Sequence, residues 1–106
     1  MYAQVKAQDA DGIYSEIVAF VLSKGDGCLS RWYAGISNRA ADTLFTRHHV
    51  SKDSGVCIYG ACANTKDACQ IETRLHNEGC EGGLGGGDTG STQVYAYLKV
   101  PNQTIP

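Results

Sequence analysis

The stretch that decides the fold is Trp32-Tyr33-Ala34-Gly35-Ile36-Ser37, followed at once by Asn38-Arg39-Ala40-Ala41-Asp42-Thr43-Leu44-Phe45-Thr46-Arg47-His48-His49. Its first six residues are rich in aromatic and branched side chains, and this composition predicts a β-strand. Asn38 is a residue type that caps helix N-termini, and Leu44 and Phe45 supply the apolar face of a helix that ends near His48. The stretch therefore predicts a strand that turns sharply into a short helix.

Before this stretch, apolar residues recur at helical spacing and predict an amphipathic helix over 11–24. The alternative is a strand, because residues 17–22 are rich in branched side chains and Lys24-Gly25-Asp26-Gly27 would suit a hairpin onto the Trp32 strand.

After it, residues 56–62 are typical of a strand, and a third helix follows with Asn64 or Thr65 as its cap and Gly79 past its end. Residues 82–91 are too rich in glycine for a regular element and predict a loop. Residues 92–100 alternate as a last strand, and the tail 101–106 is predicted to be disordered. The order α-β-α-β-α-β predicts an α+β domain with a small three-stranded sheet packed against helices.

Composition limits the classes of protein that the chain can represent. Its 106 residues suffice for one domain, and 42% hydrophobic with 19% charged residues is ordinary for a globular protein. The longest apolar run, 17–22, is too short to span a bilayer, and the first residues lack the layout of a secretory signal, so we expect a cytoplasmic protein that does not contact membranes. A net charge of −2 does not favour a strong nucleic-acid binder.

The five cysteines are odd in number and form no Cys-x-x-Cys pair, so neither a zinc ribbon nor a redox motif is indicated. We expect most of them to be reduced and packed as small apolar residues, with one disulfide left open as an alternative.

The strand Tyr33-Ala34-Gly35-Ile36 and the helix with Leu44, Phe45 and His48 resemble the second half of the signature of GIY-YIG nucleases. The tripeptide Gly12-Ile13-Tyr14 spells the other half, but it lies within the predicted helix and we interpret it as a coincidence. Instead, Val94-Tyr95-Ala96-Tyr97 resembles the missing strand. The resemblance implies that the C-terminal strand replaces the family's first strand, as in a circular permutation, so that Tyr95 or Tyr97 faces Tyr33. The whole layout resembles small GIY-YIG-like proteins of bacteria and mobile genetic elements.

The resemblance also implies a catalytic set. A tyrosine hydroxyl, Tyr33 or Tyr95, would deprotonate water or attack a phosphodiester itself, and His48 would act as a base or bind phosphate. Glu72 would hold Mg²⁺ or Mn²⁺.

The family's catalytic arginine precedes the helix leucine, where this chain has Thr43. Arg39 and Arg47, four residues to either side of Thr43, are the candidates to replace it.

Two functions follow. The first is a metal-dependent phosphodiesterase that acts on nucleic acid. The second is a catalytically inactive module that holds a nucleotide-like ligand or a protein partner on a sheet surface with Trp32, Tyr33, Tyr95 and the glycine-rich loop. An open edge strand would also permit a homodimer.

Overall fold

A computed structural model describes residues 2–24, 27–82 and 90–106. These residues form an α+β fold, in which three α-helices pack on a four-stranded mixed sheet. The strands are β1 (Tyr2–Gln4), β2 (Trp32–Ser37), β3 (Cys57–Ala61) and β4 (Gln93–Leu98). The helices are α1 (Ala10–Lys24), α2 (Ala40–Asp42) and α3 (Thr65–Asn77). A π-helix over Thr43–Arg47 continues α2, and a 3₁₀ turn over Leu29–Arg31 precedes β2.

The sheet has the strand order β1-β3-β4-β2. The C-terminal strand β4 is central and runs antiparallel to both β2 and β3, whereas β1 runs parallel to β3 at one edge. The predicted count of three strands is therefore wrong by one. Strand β1 has no signal in the sequence, because three residues are too few for a periodic pattern and their partner strand lies more than fifty residues further along the chain.

The alternation of β4 divides the domain into two layers. Val94 and Ala96 point to one face of the sheet, while Tyr95 and Tyr97 point to the other, because successive side chains of a strand alternate. The first face carries the main core with α1 and α3, built from the residues Ile13, Ile17, Val21, Ile71 and Leu75 together with strand residues. The second face is covered by α2, the π-helix and the residues that follow it.

Helix α1 begins one residue before the predicted helix and excludes the alternative strand for this segment. In α3, the side chain of Asn64 accepts a hydrogen bond of 2.8 Å from the backbone N–H of Asp67, which confirms the predicted cap. Gly79 follows the helix with φ = +121°, a backbone conformation that favours glycine.

The helix after β2 differs from the prediction in both cap and geometry. Asn38 does not cap it. Instead, Gln93 accepts a 2.7 Å hydrogen bond from the N–H of Ala40, and Ser37 accepts one from Arg39. The last turn widens, so that the N–H of His48 donates to the carbonyl of Thr43 five residues earlier. Such π-helical turns are frequent at functional sites.

The tail over 101–106 is not a free extension, although the sequence predicts disorder there. It turns after Val100, and Ile105 forms two hydrogen bonds with His48, one through its N–H and one through its carbonyl.

All five cysteines are described and none forms a disulfide. No helix in the described ranges is both long and apolar enough to cross a membrane. The predicted loop over 82–91 lies mostly outside the described residues.

Candidate functional site

Four side chains on the second face of the sheet form what we term the tyrosine–histidine cluster, Tyr33, His48, Tyr95 and Tyr97. Tyr33 lies directly opposite Tyr97 in the β2–β4 pair, as the sequence predicts for one of the two tyrosines of β4. Their rings stack with centroids 5.2 Å apart and an interplanar angle of 22°. The imidazole of His48 packs 4.9 Å from both of these rings.

The tail sets the orientation and tautomer of His48. Its Nδ1 lies 2.7 Å from the carbonyl oxygen of Ile105, which can only accept a hydrogen bond. Nδ1 therefore carries a proton and donates it to this bond. Tyr97 donates to the same carbonyl at 3.1 Å, so Ile105 holds both side chains.

The other ring nitrogen of His48 contacts the hydroxyl of Tyr95 at 2.7 Å. Burial lowers the pKa of His48 below its ordinary value, and the charge of Arg47 lowers it further, although the bond to Ile105 acts in the opposite direction. The imidazole is therefore neutral at neutral pH, and its Nε2 has a free electron pair. The Tyr95 hydroxyl donates its proton to that nitrogen, which is the arrangement that a tyrosine needs to transfer a proton to a base.

Charged and polar groups from several elements act on the same hydroxyl. Burial is the main cause that raises the pKa of Tyr95, Tyr33 and Glu72 raise it further, and the positive charge of Arg47 lowers it. Of these groups, Arg47 lies on the π-helix that covers the second face, whereas Glu72 lies on α3, which packs on the first face of the sheet. Of the six predicted site residues, the structure brings Tyr33, His48 and Tyr95 into one cluster.

A glycine makes room for this hydroxyl. A Cβ atom at Gly35 would lie 2.6 Å from Tyr95 Oη and 2.7 Å from Cζ, well inside van der Waals contact. The glycine of the Tyr-Ala-Gly-Ile strand is therefore required for the Tyr95 ring to lie across β2.

Glu72 lies on α3, and its side chain is almost entirely buried, with 7% of its surface exposed. Burial raises its pKa, while the neighbouring His76 lowers it. One turn after Glu72, Nε2 of His76 donates to the carbonyl of Ala34 at 3.0 Å and fixes α3 against the outer edge of β2. This contact places the helix of Glu72 beside the strand that carries Tyr33.

The two predicted arginines flank a polar cleft of about 480 Å³, which we term the arginine cleft. Its lining consists of Ser37, Asn38, Arg39, Asp42, Thr43, Thr46 and Arg47. Within this lining, the hydroxyl of Thr43 shares a 2.7 Å hydrogen bond with the hydroxyl of Ser37. Arg39 is exposed and lies 3.9 Å from Asp42, too far for a strong ion pair.

The structure removes one residue from the predicted binding surface and adds another to the site. Trp32, assigned to the ligand-holding surface in the binding hypothesis, is 1% exposed and packs on the opposite face against Phe20. The role of Ile105 was missed, and no signal in the sequence could have shown it, because the residue acts through its backbone.

Metal binding depends on the donors that the fold provides. Within 2–24, 27–82 and 90–106, no group of three or more His, Cys, Asp or Glu side chains is placed to hold an ion. A zinc centre needs three or four such ligands, so these residues do not fit one. A Mg²⁺ site needs fewer protein ligands, because Mg²⁺ is often held by one carboxylate together with waters and substrate phosphates.

Comparisons with protein-family models, curated proteins and solved structures find no match to this chain.

Proposed function

We propose that the chain is a GIY-YIG-like phosphodiesterase that acts on nucleic acid with Mg²⁺ or Mn²⁺, and that its reacting centre is the hydroxyl of Tyr95. The observation that carries the proposal is the 2.7 Å hydrogen bond between this hydroxyl and Nε2 of His48.

The chemistry of the centre follows from the tautomer of His48. When the phenol of Tyr95 loses its proton to Nε2, the imidazole becomes a cation whose other N–H is held by Ile105. The phenolate oxygen then either takes a proton from an attacking water or attacks phosphorus itself; in both cases the P–O bond to the leaving oxygen breaks, and that oxygen takes the proton held by the His48 imidazolium. Proton transfer by a positioned side chain contributes about 10²–10⁴-fold to the rate of such reactions.

Charge stabilisation is assigned to Arg47 and Glu72. The charge of Arg47 lowers the pKa of both Tyr95 and His48, and the proposal assigns to it the stabilisation of the phenolate and of a pentacovalent phosphate. Glu72 would hold the metal ion, which when bound supplies positive charge to the leaving oxygen. Binding a cation there would also offset the cost of burying this carboxylate.

The test is cleavage of single- and double-stranded DNA and RNA with Mg²⁺ or Mn²⁺. We expect Tyr95→Phe, Glu72→Gln and Glu72→Ala to lose cleavage. Glu78→Gln, which changes an exposed carboxylate at the end of the same helix, should keep it. Cleavage that survives in Tyr95→Phe, or no cleavage by the unaltered chain, would overturn the proposal.

The second candidate function is a binding module without catalysis. It is favoured by the burial of Tyr95 and His48 and by Thr43, which has no charge where the resemblance implies a catalytic arginine. Tyr95 and His48 are only 3% and 2% exposed, and a phosphodiesterase needs substrate access to its reacting groups. This function predicts no cleavage together with a rise in Tm on addition of a nucleotide or oligonucleotide.

A further inference from the structure

A second group of aromatic side chains lies on the same face of the sheet, toward its other edge. This aromatic platform consists of Tyr2, Phe45 and Tyr59. The rings of Tyr2 and Tyr59 stack at 6.2 Å with an interplanar angle of 13°, and Phe45 meets Tyr2 edge to face at 5.5 Å. Tyr2 keeps 54% of its surface exposed, more than any other described large hydrophobic residue.

The backbone holds the platform in place. Tyr2 is paired with β3, and Val5 extends the pairing with a 2.8 Å hydrogen bond from its N–H to the carbonyl of Tyr59. The carboxylate of Glu16 on α1 accepts hydrogen bonds from the N–H groups of Lys6 and Ala7, and so ties down the segment after β1. A short edge strand is thereby fixed at two points.

A second polar cleft, of about 470 Å³, connects the platform to the arginine cleft. Gln4, Tyr59 and Gln93 line its floor, and it shares Asn38, Arg39 and Asp42 with the arginine cleft. Aromatic rings, side-chain amides and two guanidinium groups thus follow one another along a continuous surface.

Basic side chains slightly outnumber acidic ones in the segment that lines this surface, although the chain as a whole is acidic and Asp42 lines both clefts. Residues 39–53 contain three of the nine basic residues, Arg39, Arg47 and Lys52, and two of the eleven acidic ones. The ammonium group of Lys52 lies 5.4 Å from the centre of the Phe45 ring. A ligand that complements the surface therefore carries both flat apolar rings and negative charges.

We infer that the aromatic platform and the two clefts bind single-stranded nucleic acid, with bases stacked on Tyr2 and phosphates at Arg39 and Arg47. Single strands expose the faces of their bases, whereas a duplex hides them within its stack. The choice of a nucleic acid as ligand rests on the proposed function, but the platform residues take no part in the proposed chemistry.

Binding is measured by fluorescence anisotropy with labelled oligo-dT and oligo-U of about 12 nucleotides and with a duplex of the same length. EDTA is present so that cleavage plays no part. We expect both single strands to bind at least about tenfold more tightly than the duplex. Loss of one stacked base costs about 1–3 kcal/mol, so Tyr2→Ala should weaken single-strand binding about 5- to 150-fold. Tyr2→Trp should restore it.

Arg39→Ala should weaken binding and reduce the slope of log K against log salt by about 0.7, the value for one phosphate contact on a single strand. Leu22→Ala and Lys66→Ala are the matched controls, since they remove an exposed apolar residue and a lysine from α1 and α3. Both should bind as the unaltered chain does.

Equal affinity for duplex and single strands, unchanged binding by Tyr2→Ala, or no binding would overturn the inference. Measurement in EDTA separates it from the proposed function, because binding is then recorded without the metal that cleavage requires. Binding without cleavage overturns only the phosphodiesterase, whereas cleavage unaffected by Tyr2→Ala and Arg39→Ala overturns only the docking surface.

Discussion

Tyr95→Phe tests the hydrogen bond on which the candidate site depends. The substitution removes one hydroxyl and leaves Nε2 of His48, which is 2% exposed, as a buried acceptor without its donor. Leaving such a group unpaired costs about 1–3 kcal/mol. In a domain of about this size each kcal/mol lowers Tm by about 4–8 °C, so the loss is readily measured by thermal unfolding.

Tyr97→Phe is the matched control, because it removes a hydroxyl from the same strand and the same buried cluster. The carbonyl of Ile105 that accepts from Tyr97 still accepts from His48, so no acceptor loses its last partner. We expect this variant to lose only the net value of one hydrogen bond, about 0.5–1.5 kcal/mol.

The pKa of His48 gives an independent measurement. The Tyr95 hydroxyl donates to the neutral imidazole, and a bond to the neutral form of a base lowers its pKa. NMR titration should therefore show a higher His48 pKa in Tyr95→Phe than in the unaltered chain. Equal losses of stability in the two phenylalanine variants, or an unchanged His48 pKa, would refute the assigned tautomer.

Three further predictions concern Glu72, Gly35 and the cap of α3. Burial raises the pKa of Glu72, so the folded state binds more protons than the unfolded state and loses stability as pH rises above about 4.5. Glu72→Gln should therefore raise Tm at pH 7, with a smaller gain at pH 4. An equal gain at both pH values would contradict this. Gly35→Ala places a Cβ atom 2.6 Å from the Tyr95 hydroxyl and should destabilise the fold by about 1–3 kcal/mol in denaturant unfolding. An unchanged denaturant midpoint would show that the Tyr95 ring moves freely. Asn64→Ala removes the acceptor for the N–H of Asp67 and should cost about 1 kcal/mol, seen as a Tm lower by about 4–8 °C.

The helix α1, the strand β2 and the capped helix α3 were predictable because their signals are local. Apolar spacing of three to four residues, a run of aromatic and branched residues, and Asn64 before a helical pattern all act over a few positions. The edge strand β1 and the π-helix were not predictable. Strand β1 depends on a partner strand that is distant in the sequence. The π-helix depends on hydrogen bonds to the carbonyl five residues earlier, where an α-helix uses the carbonyl four residues earlier.

The sequence by itself determined which chemical groups this protein has, including a tyrosine-rich last strand, a histidine after the second helix and a glutamate on the third. Only the tertiary structure decided that Tyr95 donates to His48 across 47 residues, and that Ile105 holds the other side of the same ring from 57 residues away. Tertiary structure also decided that Trp32 belongs to the core. Local preferences fix the path of the backbone over a few residues, whereas partners this distant meet only when the sheet and its two layers close around a shared core.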